Sequence, residues 1–171
     1  MAVDSDITAG QRDVNARGME GQKLPPSLGG VIGFVGALVI IAVVTVILVA
    51  NGIALFTAPN IIASVLMGEG ASGLFAVTLG TTIHLVVGTG LGIVFALLMP
   101  PIYRVMWIVA GMVYGMLAFM FSALVVFPLF TPGYDAATNT VGVLLIAHVM
   151  YGFVLGVLGG TYGMYWGPRR P

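Results

Sequence analysis

Two histidines, His84 and His148, stand inside long apolar stretches, and each opens the same pattern: His84-x3-Gly88-x3-Gly92 and His148-x3-Gly152-x3-Gly156. An ionisable side chain in hydrocarbon is costly, so it usually turns to the interior of a helix bundle, where it does chemistry or finds a partner. Three uses compete. Each imidazole can be a neutral core group bonded to a neighbouring helix, with Thr81, Thr82, Tyr114, Tyr151 or a backbone carbonyl as partner, a contact worth about 0.6 to 2 kcal/mol. The pair can instead ligate a b-type haem iron axially from two helices, the small glycine faces leaving room for the macrocycle. Or the histidines can line a quinone, metal or proton site. No Asp, Glu or Cys shares these stretches, so a two-histidine metal site would lack further ligands. Haem therefore ranks ahead of zinc or copper, and no dedicated metal site is expected.

Other chemistry is harder to assemble. The only carboxylates beyond residue 20 are Glu69 and Asp135, and there is no cysteine, which removes disulfides, thiolate metal sites and cysteine catalysis together. No nucleophile with a base and an orienting acid can be built inside the apolar stretches, and there is no glycine-rich phosphate loop with its lysine. Catalysis by this chain alone is not expected. An ion-coupled transporter places charged groups along its path, and these stretches hold none. A small neutral-solute channel remains open as a reading; it requires a continuous polar file through Thr78, Thr82, Thr89 and Ser122.

The elements that must position the histidines are membrane-spanning helices. Of 171 residues, 59% are hydrophobic and 7% charged, against about 25% charged in soluble domains. From Val31 to Ala50, 20 consecutive residues carry no charge, enough to cross about 30 Å of hydrocarbon at 1.5 Å per residue. Further uncharged runs follow, separated by the breakers Pro100-Pro101 and Thr131-Pro132-Gly133. The runs lack period-2 alternation and are too long for the ten-residue strands of a barrel. The expected architecture is an all-α polytopic membrane protein, a four-transmembrane-helix bundle at 28–166 with spans at about 29–53, 74–99, 105–130 and 140–163. A disordered cytoplasmic tail, 1–27, precedes it, closed by Pro25 and Pro26 and without an apolar core like that of a signal peptide. A short tail, 167–171, follows.

Charge sets the direction. All six basic residues, Arg12, Arg17, Lys23, Arg104, Arg169 and Arg170, fall in the tails or the second loop, whereas the first and third loops hold only Glu69 and Asp135. This is the positive-inside pattern, so both termini are expected in the cytoplasm of a cell whose plasma membrane the chain crosses. Tyr103, Trp107, Tyr162, Tyr165 and Trp166 form an aromatic belt at that boundary. The net charge of zero makes nucleic acid an unexpected partner. Between Asn51 and Gly73 the cluster Ile61, Ile62, Val65, Leu66 and Met67 suits either a short interfacial helix or an ordered loop.

The shared histidine pattern extends upstream: Leu55-Phe56-Thr57 after the first span is echoed by Leu129-Phe130-Thr131 after the third. The chain thus reads as two tandem helical hairpins inserted in the same sense, with a pseudo-twofold axis along the membrane normal. His84 and His148 would then lie at similar depth in the outer half, across that axis. Glycine is 25 of 171 residues, roughly twice the usual 7%. Gly29 and Gly33, then Gly80, Gly88 and Gly92, Gly111 and Gly115, and Gly152, Gly156 and Gly160 recur at multiples of four, which aligns each set on one helix face. Such faces let backbones approach where no hydrophobic effect drives association.

His84-Leu85-x2-Gly88, Tyr114-Gly115 with Phe127-Pro128, and His148-x2-Tyr151-Gly152 give the stretch from Val44 to Gly163 a layout that resembles a group of uncharacterised four-span membrane proteins from bacteria and archaea. The resemblance implies the topology and the choice of histidines, and no activity. The leading functional expectation is a non-catalytic structural or accessory subunit, embedded in the lipid bilayer and packed through its glycine faces as a homo-oligomer or within a larger membrane complex. The rival is a bis-histidine haem electron carrier.

Overall fold

A computed structural model describes residues 23–100, 104–130 and 140–165. Within them the protein is entirely helical, with four helices long and apolar enough to cross a membrane. The stretches 1–22 and 166–171, Tyr103, and the third loop with Asp135 lie outside the described residues, and so does most of the expected N-terminal tail.

Helix α1, Pro26–Ala50, starts where the sequence puts two prolines: Pro25 is extended and Pro26 occupies the first turn, where a missing N–H costs nothing. Residues 23–27 of the expected tail are among those described. Leu24 is almost wholly buried, and its side chain lies beside Gly159 and the rings that close this end of the bundle. At the far end Asn51 stops α1, its backbone N–H and its side-chain amide both donating to the carbonyl of Ile47.

Between Asn51 and Gly73 the chain forms a helix rather than a loop. Helix α2, Thr57–Met67, seats Pro59 and Ala63 on the third helix and leaves Leu66 and Met67 exposed. It ends at Gly68, whose φ of 84° is open to glycine and strained for other residues. Helix α3, Gly73–Leu98, then returns, and Pro100 stands just beyond its end.

The third crossing is interrupted. Helix α4, Arg104–Phe121, passes through a π-helical turn, Ser122–Val126, into a last turn α5, Phe127–Phe130. Pro128 supplies the reason. Its ring would clash with the carbonyl four residues back and it has no N–H to give, so the helix widens before it, and the Phe127 N–H reaches back to the Ser122 carbonyl. Helix α6, Thr140–Tyr165, makes the fourth crossing without a break.

Four contacts build the bundle: α1 with α3, α4 with α6, α2 with α3, and α1 with α6. Helices α3 and α4 meet through side chains: Phe95 stacks edge-on against Trp107 at 5.7 Å and tilted on Tyr114 at 5.2 Å, and the Tyr114 hydroxyl donates to the Leu91 carbonyl at 2.9 Å. Trp107, Phe95, Leu24 and Leu155 are the largest fully buried side chains. Three of them, Leu24, Phe95 and Trp107, pack together at the end of the bundle away from α2. The lateral surface is apolar, as lipid requires: Val46, Phe75, Val86, Val105, Phe121 and Leu124 all stand exposed.

Candidate functional site

The candidate site lies toward the α2 end, where α3 carries His84 and α6 carries His148. What brings the two helices into register there is Tyr151, three residues past His148. Its ring lies against Gly36 of α1, and its hydroxyl donates to the backbone carbonyl of Gly88, four residues past His84. One hydrogen bond thus ties the turn below one histidine to the turn below the other.

Each ring has its own surroundings. His148 Nδ1 lies 2.8 Å from the carbonyl of Leu144, one turn earlier in α6. A carbonyl only accepts, so the proton sits on Nδ1 and the Nε2 lone pair is left free. Phe119 of α4 meets the same ring edge-on at 5.7 Å. His84 faces the backbone of Ala37 in α1, and its Nε2 is buried without a hydrogen-bond partner. Among the described residues the one other buried side-chain polar atom in that position is Oδ1 of Asn60, on α2. Asn60 carries no sequence signal beyond being a polar residue in an apolar cluster, and it was not among the expected site residues.

The anticipated side-chain partners are engaged elsewhere. Thr82 donates to the Thr78 carbonyl, Tyr114 to Leu91 and Tyr151 to Gly88, and His148 is served by a backbone carbonyl, that of Leu144. The polar file expected for a solute channel is broken at two of its four residues. Thr78 and Thr82 lie on the exposed surface with their hydroxyls returned to the carbonyls of Leu74 and Thr78, and Thr89 bonds back to Leu85. Hydroxyls satisfied within their own helix offer little to a passing solute.

The glycine faces are filled by neighbouring backbone. A Cβ at Gly33 of α1 would meet the Gly88 carbonyl oxygen and the Gly92 Cα, and one at Gly92 would meet the Gly29 carbonyl oxygen. In the other hairpin, Gly111 faces the Gly152 carbonyl oxygen, Gly115 faces that of His148, and Gly156 lies 2.7 Å from Ile108 Cα by the same construction. Two glycines differ in what they meet. Gly80 is covered by the Pro59 carbonyl of α2 rather than by another span, and Gly160 meets the side chains of Trp107 and Arg104. A macrocycle wider than one helical turn, about 5.4 Å, would need the space these contacts occupy. The turns flanking His84 are closed by Pro59 and Ala37, and Gly115 is closed by the carbonyl of His148 itself. The room that the macrocycle was expected to find on the glycine faces is taken by neighbouring helices.

These features define a polytopic helical membrane protein with one histidine on each of two crossing helices. Compared with protein-family models, with curated proteins and with solved structures, the chain matches none. The resemblance to the four-span group therefore rests on the short motifs alone.

Proposed function

We propose that the protein is a non-catalytic structural or accessory subunit of a membrane assembly, either of copies of itself or of a larger complex. The observation that carries this reading is that both hairpins, α1 with α3 and α4 with α6, close through glycines set against backbone atoms and the methyl groups of Ala37 and Ala96. Rigid, close-packed helices with an apolar exterior suit a scaffold in lipid. Among the described residues no group of three or more histidine, cysteine or carboxylate side chains comes together that could hold a metal ion.

The two hairpins use the same device, with glycines at Gly29, Gly33, Gly88 and Gly92 in one and Gly111, Gly115, Gly152 and Gly156 in the other. We take this as support for an internal duplication. The distribution of basic residues supports cytoplasmic termini and insertion in the plasma membrane. The absence of cysteine makes single-cysteine cross-linking straightforward.

The test is the mass of the native particle, extracted in a mild detergent and measured by light scattering, with cross-linking of single cysteines placed on the exposed faces of α1, α3 and α4. Particles larger than one chain, with cross-links confined to one face, are expected. A monomer that cross-links from no face would overturn the proposal.

A further inference from the structure

We infer that the end of the bundle where α1 and α4 begin binds the headgroup of an anionic phospholipid, its phosphate held by Lys23 and Arg104, which flank Trp107. Charge comes first. Lys23 and Arg104 are the two basic residues, lysine or arginine, among the described residues, and both stand at this end. The one described carboxylate, Glu69, lies at the opposite end, just past α2. Neither α1 nor α4 has an acidic residue in its first turn. Among the described residues the two cations therefore have no counter-charge, and a phosphate from outside can supply one.

Position comes second. Leu24, next to Lys23, is buried, and its Cδ2 lies 3.5 Å from where a Cβ at Gly159 would stand; Cζ3 of Trp107 lies 2.9 Å from the same point. One residue on, a Cβ at Gly160 would stand 3.1 Å from Trp107 Cβ and 3.3 Å from Arg104 Cγ. The buried Trp107 side chain thus has Leu24 by its ring and the Arg104 stem by its Cβ. Lys23 and Arg104 are themselves exposed. Cationic side chains rooted on buried apolar surface at a helix end reach into the headgroup layer.

The choice of a lipid over a soluble anion follows from the surroundings. From Arg104 an apolar stripe runs along α4 through Val105, Val109, Met112 and Met116, all exposed and three or four residues apart on one face. An acyl chain can lie on that stripe while its phosphate meets the two cations; free phosphate gains the charge contact alone. The guanidinium can donate two parallel hydrogen bonds to a phosphate, and the lysine ammonium adds a point charge. Each basic residue close to an anionic lipid surface strengthens association about fivefold.

The experiment titrates the full chain in detergent with dioleoyl phosphatidylglycerol or dioleoyl phosphatidylcholine and reads the bound lipid by native mass spectrometry. Wild type should prefer phosphatidylglycerol, and an excess of inorganic phosphate should not release it. Lys23→Gln and Arg104→Gln should each weaken its binding about fivefold, and the double variant roughly 25-fold. Glutamine keeps the Cγ that meets Gly160, Arg104→Lys keeps the charge and should keep most of the binding, and circular dichroism checks the fold of each. Arg169→Gln with Arg170→Gln removes as much charge from outside the anchored pair and should weaken binding less than the double variant does. A single chain carries the whole site, so a monomeric particle would leave these expectations unchanged. Equal binding of the two lipids would overturn the inference, as would release by free phosphate. So would binding unchanged in the Lys23 and Arg104 variants, or an equal loss in the Arg169 and Arg170 variant, which would assign the effect to net charge.

Discussion

The substitution Gly152→Ala adds one methyl group to the tightest seam in the molecule. Built on the α6 backbone, its Cβ would sit 2.7 Å from the Gly111 carbonyl carbon and 3.0 Å from the Gly115 nitrogen, with the Gly111 oxygen closer still. Carbon atoms rest at about 3.5 to 4.0 Å from their neighbours, so α4 and α6 must part by roughly 1 Å. At that gap each atom pair forfeits about a quarter to a half of its ~0.1 to 0.2 kcal/mol. For a seam of roughly 50 such pairs the loss is about 2 kcal/mol, and alanine's better helix propensity returns at most about 1 kcal/mol. A net destabilisation of about 1 to 2 kcal/mol is expected. Gly90→Ala is the matched control, because nothing lies within 4 Å of a Cβ there. It should be neutral or stabilising by up to about 1 kcal/mol. Unfolding in mixed micelles with increasing dodecyl sulfate, followed by the fluorescence of buried Trp107, gives both values. Equal midpoints for the two variants would refute the reasoning, since they differ only in what the methyl meets.

Two further expectations follow from side chains that bridge helices. Tyr151→Phe removes the donor to Gly88 and should cost about 0.6 to 2 kcal/mol in the same unfolding assay, with little change of fold; an unchanged midpoint would mean that the bond contributes nothing. Pro128→Ala restores an N–H and removes the clash that widens the helix, so the π-helical turn at Ser122–Val126 should revert to α-helix. Backbone chemical shifts of these residues, measured by NMR in bicelles, would reveal the change; a persistent π turn would assign its cause to packing instead.

By itself the sequence determined the number of crossings. Runs such as Val31–Ala50 have one low-energy solution in lipid, because backbone polar groups there must be paired within the segment. Pro25-Pro26 and Asn51 marked the limits of α1, and the phased glycines marked a face on each helix. The pairing of those faces was not legible. Gly80 carries the same spacing as Gly88, yet it receives the interfacial helix through Pro59, a choice made by where α2 folds back. Thr78 and Thr82 look like a polar file in one dimension; helical rotation puts them on the outer surface.

The two histidines divide in the same way. Their depth, their number and the lack of neighbouring acid were fixed by sequence, since each follows from counting along one helix. How their two helices sit relative to each other depended on Tyr151 reaching across Gly36 to the Gly88 carbonyl, and on the neighbours that fill the glycine faces. Periodicity along a chain assigns residues to faces. Only tertiary packing decides which faces touch, because van der Waals contact and hydrogen bonding between distant segments act at separations no one-dimensional pattern records.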